Sequence, residues 1–234
     1  MRSTTAGAHP PASPPSRRLV RMELRERHFM KKFTFPISCA LCLVLAGCSQ
    51  TPTKPAAKKA EEKPEPVTGM TALFKMYAVA RQWAPDVQIL KLGSINLADV
   101  PLVRGKAGAW QVTFVSPSKA KARGWTYSVI ESEGNLHKGA FAGLEEAWAG
   151  PRGINTPFSI QAVKVDTDAA YKTALTKGAE YDKKNPGKPI TFLLEQTKKH
   201  PDPVWRVVWG ESVGTSNFSI LVDASTGLYL ETLR

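Results

Sequence analysis

The folded part of this 234-residue chain is predicted to be α+β, with two similar lobes packed together, each a helix and a three- or four-stranded antiparallel sheet. Three observations predict it. A tryptophan-rich stretch occurs twice: Trp110-Gln111-Val112-Thr113-Phe114 and Trp205-Arg206-Val207-Val208-Trp209 both place large apolar side chains at alternate positions, the period of a strand with one buried face. A second strand follows each and ends in a turn opened by an acid. Tyr127 to Ile130 runs into Glu131-Ser132-Glu133-Gly134, and Phe218 to Val222 runs into Asp223-Ala224-Ser225-Thr226-Gly227, with the glycine where positive φ is needed. A helical segment and one further strand precede each pair. Such a unit spans roughly 70 residues, a size at which one core is marginal, so the two are expected to pack against one another.

Residues 1–47 are expected to contribute nothing to that fold. Residues 1–29 carry four prolines among arginines and no periodic apolar pattern, and translation is expected to begin at Met30 or, failing that, at Met22. Ser16-Arg17-Arg18-Leu19-Val20-Arg21 is partly like a twin-arginine export signal, but the apolar run starts too far downstream. That run, Phe33 to Leu45, follows Lys31 and Lys32 and closes on Leu45-Ala46-Gly47-Cys48. From Phe33 to Gly47, about 15 residues at 1.5 Å reach about 22 Å, short of a bilayer core of roughly 30 Å, so a cleaved signal fits better than a membrane span. Small residues before a cysteine make Met30 to Ser49 resemble the signal peptide and lipobox of bacterial lipoproteins. The resemblance implies that Cys48 is the first mature residue and carries a diacylglyceryl group on its sulfur. Two or three acyl chains make such an attachment effectively permanent. Ser49 stands where the family's inner-membrane retention signal has aspartate, which implies a membrane-anchored lipoprotein of the cell envelope, on the outer membrane and facing the periplasm.

Residues 48–68 read as a linker. Pro52, Pro55, Pro64 and Pro66 alternate with lysines and glutamates, with too few apolar groups to offset the entropy of ordering. About 20 proline-rich residues reach up to roughly 60 Å from the bilayer. Eight of the 32 basic and two of the 20 acidic residues precede Cys48, which leaves 24 against 18, a net +6. Export makes nucleic acid an unsuitable partner, so this mild excess suits solubility or anionic lipid and polysaccharide. All three cysteines, Cys39, Cys42 and Cys48, lie at or before the end of the signal. The mature domain therefore has no disulfide and no thiolate metal site, and packing must hold it together.

The first lobe is expected over residues 69–138. Leu73, Met76, Tyr77, Ala80 and Trp83 recur at helical spacing and stop before Pro85, and Val87 to Leu92 reads as extended. A long insertion, Gly93 to Ala109, precedes Trp110. Residues 139–165 are expected to connect the lobes, with Phe141, Leu144 and Trp148 on one face of a short helix and Phe158, Ile160 and Ala162 alternating as a strand. In the second lobe, residues 166–234, Asp166 or Thr167 caps a helix with Ala170, Tyr171, Ala174 and Leu175 on one side. Asn185-Pro186-Gly187 breaks it, and Ile190 to Leu194 is the next strand. Pro203-Val204-Trp205-Arg206-Val207-Val208-Trp209 and Val222-Asp223-Ala224-Ser225-Thr226-Gly227 resemble the PepSY domain family, whose units pair a helix with an antiparallel sheet. The first copy departs from the pattern, since Glu131-Ser132-Glu133-Gly134 lacks the threonine. The resemblance implies an exported protein; some of the family inhibit or chaperone peptidases.

No motif spacing points to catalysis, a metal or a cofactor. His137 and His200 lie in turns beside lysine, without a serine, cysteine or carboxylate at a motif distance. Glu145-Glu146 diverge by about 100 degrees on a helix and read as a solvated pair; Asp223 serves its turn. Trp83, Trp110, Trp148, Trp205 and Trp209 fall at inward positions. Trp125 is the exception. It follows Ser118-Lys119-Ala120-Lys121-Ala122-Arg123-Gly124, read as a basic hairpin loop, and either folds back onto the sheet or meets an anionic or sugar-bearing surface with Lys119, Lys121 and Arg123. The expected function is that of a non-enzymatic, lipid-anchored binding or regulatory module engaging an envelope protein, a peptidase among the partners that the resemblance implies. The alternative is a structural lipoprotein touching anionic polysaccharide or peptidoglycan through the basic loop. Labelled palmitate is expected on the wild-type chain and absent from Cys48→Ser, read by autoradiography of the purified protein.

Overall fold

A computed structural model describes residues 63–151, 153 and 155–234; the leader, Cys48 and most of the linker lie outside the described residues. Helix α1 (Gly69–Trp83) is followed by strands β1 (Gln88–Ile95), β2 (Ala109–Ser116), β3 (Lys121–Ser128) and β4 (Gly139–Ala147). Helix α2 (Thr167–Lys184) is followed by β5 (Ile190–Glu195), β6 (Val204–Trp209), β7 (Ser219–Asp223) and β8 (Tyr229–Leu233). The eight strands form one sheet in the order β4-β3-β2-β1-β5-β6-β7-β8, every neighbour antiparallel.

This corrects the predicted fold class. The chain is not an α+β pair of PepSY-like lobes but a mostly β protein with one continuous sheet and two helices among the described residues. The reason lies at the inner edges. A four-stranded half would leave β1 or β5 with unpaired backbone groups, a template for another strand. Here the two edges take each other: Lys91, Leu92 and Gly93 pair with Glu195, Leu194 and Leu193, and the Ser94 hydroxyl accepts from the Phe192 amide at 2.8 Å.

Register places both helices on one face. Val112, Leu92, Leu194, Trp205 and Val222 stand in a row across β2, β1, β5, β6 and β7, and all five belong to the same buried cluster as Leu73, Met76 and Ala80 of α1 and Ala170 and Ala174 of α2. Trp110, Trp205 and Trp209 are fully buried; replacing one such side chain by alanine typically costs about 3–5 kcal/mol. Trp83 and Trp148, also expected inside, are half-buried.

The indoles also fix where the helices begin. Trp110 Nε1 donates to the Val67 carbonyl at 3.2 Å and Trp205 Nε1 to the Val165 carbonyl at 2.7 Å, in each case two residues before the helix starts. Glycines let the helices sit this low. A Cβ on Gly69 would lie 2.7 Å from the Trp205 ring, and one on Gly178 2.8 Å from that of Trp209. Trp209 in turn is held by its Nε1–H to the Asp182 carboxylate at 2.8 Å.

Two local expectations change. Gly139–Ala147 is strand β4, not a short helix. Arg123 and Trp125 of β3 face Glu145 and Ala142, so two residues on β4, Gly143 and Leu144, oppose the single Gly124 on β3. That bulge stretches a period of two into the spacing of three between Phe141 and Leu144, which imitates a helix. Phe158 makes a single bridge to Ile89, and Ile160–Ala162 is a 3-10 turn, not a strand.

Asp166 caps α2 as the sequence suggests, accepting from the Thr167 amide at 2.7 Å. The same oxygen accepts from the Met70 amide of α1 at 2.9 Å. The buried Thr167 hydroxyl accepts from the Gly69 amide at 2.9 Å and donates to the Gly105 carbonyl at 2.6 Å. Thr167→Val keeps the shape but strands one buried donor and one acceptor, each worth about 1–3 kcal/mol. It is expected to lower the unfolding free energy by about 2–4 kcal/mol in urea titration, against less than about 1.5 for Thr167→Ser, which keeps the hydroxyl.

Candidate functional site

The sequence singled out Lys119, Lys121, Arg123 and Trp125. The structure brings them to the outer part of the first half, but not as a free loop. The turn is short, closed by the Ala120 amide on the Pro117 carbonyl at 3.1 Å, and β3 begins at Lys121. Asp86 braces it from the start of β1: its carboxylate accepts from the Ser116 hydroxyl at 2.6 Å and the Ser118 amide at 2.8 Å. Those two donors hold the Asp86 carboxyl below the usual aspartate range.

Trp125 is 4% exposed and packs in the core. On β3 it stands opposite Val112, so alternation turns it, with Tyr127, toward the helices. Its Nε1–H is buried without a partner among the described residues. Arg123 lies over the Trp125 ring at 5.2 Å and its Nε donates to the Gly143 carbonyl of β4 at 2.8 Å. Lys119 lies over the Trp83 ring at 5.6 Å, and Trp83 Nε1 donates to Glu145 of β4 at 2.6 Å. The predicted cations are thus spent partly on fastening β4 and the end of α1. Trp125 offers no face for a sugar or anion to stack on.

What they fasten is the more exposed feature. β4 has a neighbour on one side only, and none of its nine residues is buried. Leu144 is 88% and Phe141 45% exposed. Gly139 to Leu144 contain no charge and no proline, the groups that usually blunt a sheet edge. The opposite edge, β8, has five residues.

Both histidines have carboxylate partners that spacing did not reveal. His137 Nδ1 is 3.1 Å from Glu131 Oε2, in the turn after β3. His200 Nε2 is 2.9 Å from Glu231 Oε1, which also takes the Lys199 ammonium at 2.6 Å. Glu231 lies 31 residues from His200 in the chain, beyond any local pattern. Asp223 serves its turn, accepting from the Ser225 and Thr226 amides at 2.8 Å. No group of three histidine, cysteine or carboxylate side chains suited to a metal occurs among the described residues, and no helix among them is long and apolar enough to cross a membrane.

No family model matches the chain, so the PepSY resemblance gains nothing from that comparison. No curated protein matches it either. A solved structure that it resembles is that of a candidate lipoprotein from Clostridium difficile 630, 10% identical, covering 74% of this chain and 95% of that one with a TM-score of 0.41. A score of that size does not establish a shared fold.

The Lys199 ammonium, and after it the His200 ring, hold the Glu231 carboxyl below the usual glutamate range. A carboxyl depressed in the folded state stabilises fully above its unfolded value, and that contribution disappears as pH falls through the folded one. Thermal midpoints of the wild type and Glu231→Gln are therefore expected to differ at neutral pH and to converge in acid, below the ordinary glutamate range.

Proposed function

We propose that this chain is an exported, lipid-anchored, non-enzymatic binding module of the cell envelope, and that it takes an extended segment of a protein partner along the outer edge of β4. The lipobox-like run ending at Cys48 supports the anchoring. The observation that carries the binding mode is β4 itself: nine residues, none buried, with an uncharged first two-thirds and Leu144 at 88% exposure. An edge of this kind binds by main-chain hydrogen bonds, which supply affinity, while side chains such as Phe141 and Leu144 supply selectivity. The Arg123 and Trp83 contacts to Gly143 and Glu145 keep that edge in place before a partner arrives, which lowers the ordering cost of association. The reading through Lys119, Lys121, Arg123 and Trp125 to anionic polysaccharide is weaker, because Trp125 is buried and Arg123 is engaged within the fold. A peptidase as the partner is implied only by the family resemblance and has no support in the geometry.

A photoreactive amino acid at Glu146 on intact cells is expected to yield a discrete protein adduct. Adding Phe141→Lys and Leu144→Lys, both at exposed positions, should remove most of that adduct while leaving the thermal midpoint nearly unchanged. Adducts with phospholipid alone, or an adduct indifferent to the two lysines, would remove the β4 reading.

A further inference from the structure

A further cavity of the described residues lies away from the basic hairpin and was not signalled by any motif. It is an open groove of about 1120 Å³ where the chain enters the fold. Four lysines reach it from four separate pieces of chain: Lys63 from the segment before α1, Lys75 from α1, Lys106 from the loop between β1 and β2, and Lys138 from the turn before β4. One acid, Glu65, shares the lining. None of the four ammonium groups makes an ion pair among the described residues; Glu131 accepts from the Lys138 amide, not from its ammonium. Lys75 is partly oriented, donating to the Tyr127 hydroxyl at 2.9 Å with its ammonium 4.9 Å from the ring centre. That leaves it two further donors.

Between these cations about half of the wall is apolar, with Val67, Val129 and Ala140 among the lining residues, and the rest is polar, with Ser128 and Tyr127. The adjoining loop carries Leu102 at 68% and Val103 at 42% exposure, directly before Arg104 and Lys106. A purely aqueous anion needs no such wall. A phosphate joined to a hydrocarbon body does: four positive charges suit the phosphate, and the apolar walls and the Leu102-Val103 tip suit the acyl boundary, where basic and apolar side chains together favour anionic lipid.

We propose that this groove binds the phosphate-bearing headgroup of an anionic phospholipid. The wall formed by residues 63–67 begins about 15 residues after Cys48, at most about 50 Å of chain, a length that lets a lipid at the anchored surface reach the groove. Headgroup binding there would give the domain a fixed pose on the bilayer. The proposal rests on the lipid-anchor reading only for the source of the headgroup; the groove's preference stands independently of lipidation and of β4.

The test uses the full-length chain in neutral maltoside micelles, titrated by calorimetry with dihexanoylphosphatidylglycerol, dihexanoylphosphatidylcholine and inorganic phosphate. The anionic lipid is expected to bind at least about tenfold more tightly than the zwitterionic one. Lys106→Gln with Lys138→Gln should weaken it by about twentyfold to thirtyfold, the effect of two lysines near an anionic surface. Lys172→Gln with Lys183→Gln, which removes two exposed charges of α2, should leave it unchanged. Equal binding of the two lipids, or phosphatidylglycerol binding unaffected by the groove substitutions, would overturn the proposal. Inorganic phosphate binding as tightly as phosphatidylglycerol would overturn the lipid as ligand. Loss of palmitate from Cys48 would change none of these readings, so the anchor and the groove fail separately.

Discussion

The structure depends on a helix that does not cap itself. Thr68 precedes α1 without a capping hydrogen bond from its side chain, and the first amides of a helix are orphans unless something accepts from them. Here the acceptors come from the far half of the chain: Asp166 for Met70 and Thr167 for Gly69, 96 and 98 residues away. Asp166 serves the start of its own helix with the same oxygen. Two helix N-termini therefore converge on one carboxylate and one hydroxyl, a favourable place for negative charge. Neither half has a complete helix layer without the other, which agrees with β1 and β5 closing the sheet by only three residue pairs. The indoles complete the junction, since the rings of both Trp205 and Trp110 approach Gly69.

What the sequence disclosed was local. Pro85, Asn185-Pro186-Gly187 and Asp166 bound the helices because breaking and capping act within a few residues. The strands holding Trp110 and Trp205 were legible because alternation survives in each. The merger of the two sheets was not, because pairing Leu92 with Leu194 is a contact between distant segments that no period records. The bulge opposite Arg123 and Trp125 hid β4 by giving a strand a helix-like spacing. Of the proposed site, the position of Lys119, Lys121 and Arg123 was readable but the engagement of Lys119 and Arg123 was not. Trp125 was left between two readings, folded back onto the sheet or facing a ligand, because lysine, arginine and glycine before it look like a loop. The alternation of Arg123, Trp125 and Tyr127 was the available signal that it faces inward. The groove lysines come from four segments, so only the fold assembles them.

A sheet with one face filled by helices has few ways to bind. Its core side is occupied by indoles, three of whose N–H groups are already spent on Val67, Val165 and Asp182. Recognition on that side is left to edges and to the ends of strands, where loops converge. Here the two differ in chemistry: β4 is uncharged over most of its length, while the groove is cationic. An uncharged edge gains little from long-range attraction and depends on main-chain complementarity. A cluster of lysines attracts anions over about a Debye length, near 8 Å at physiological salt, and weakens as salt rises.

These two surfaces meet at one point. Gly139 and Ala140, the first residues of β4, also line the groove, so an occupant of the groove touches the base of the exposed edge. With the groove on the bilayer, β4 would rise from the lipid surface toward Ala147, and a partner strand lying along it would be held at a fixed height and direction. The Arg123 bond to Gly143 and the Trp83 bond to Glu145 lie beyond that shared base. They would keep the outer part of the edge in register whether or not a lipid is present. A tether alone would leave the orientation of β4 free, and a partner would then have to find the edge by unrestricted rotation. Fixing the base removes part of that cost before association, which is how a small, mostly β domain could bind usefully through a single strand edge.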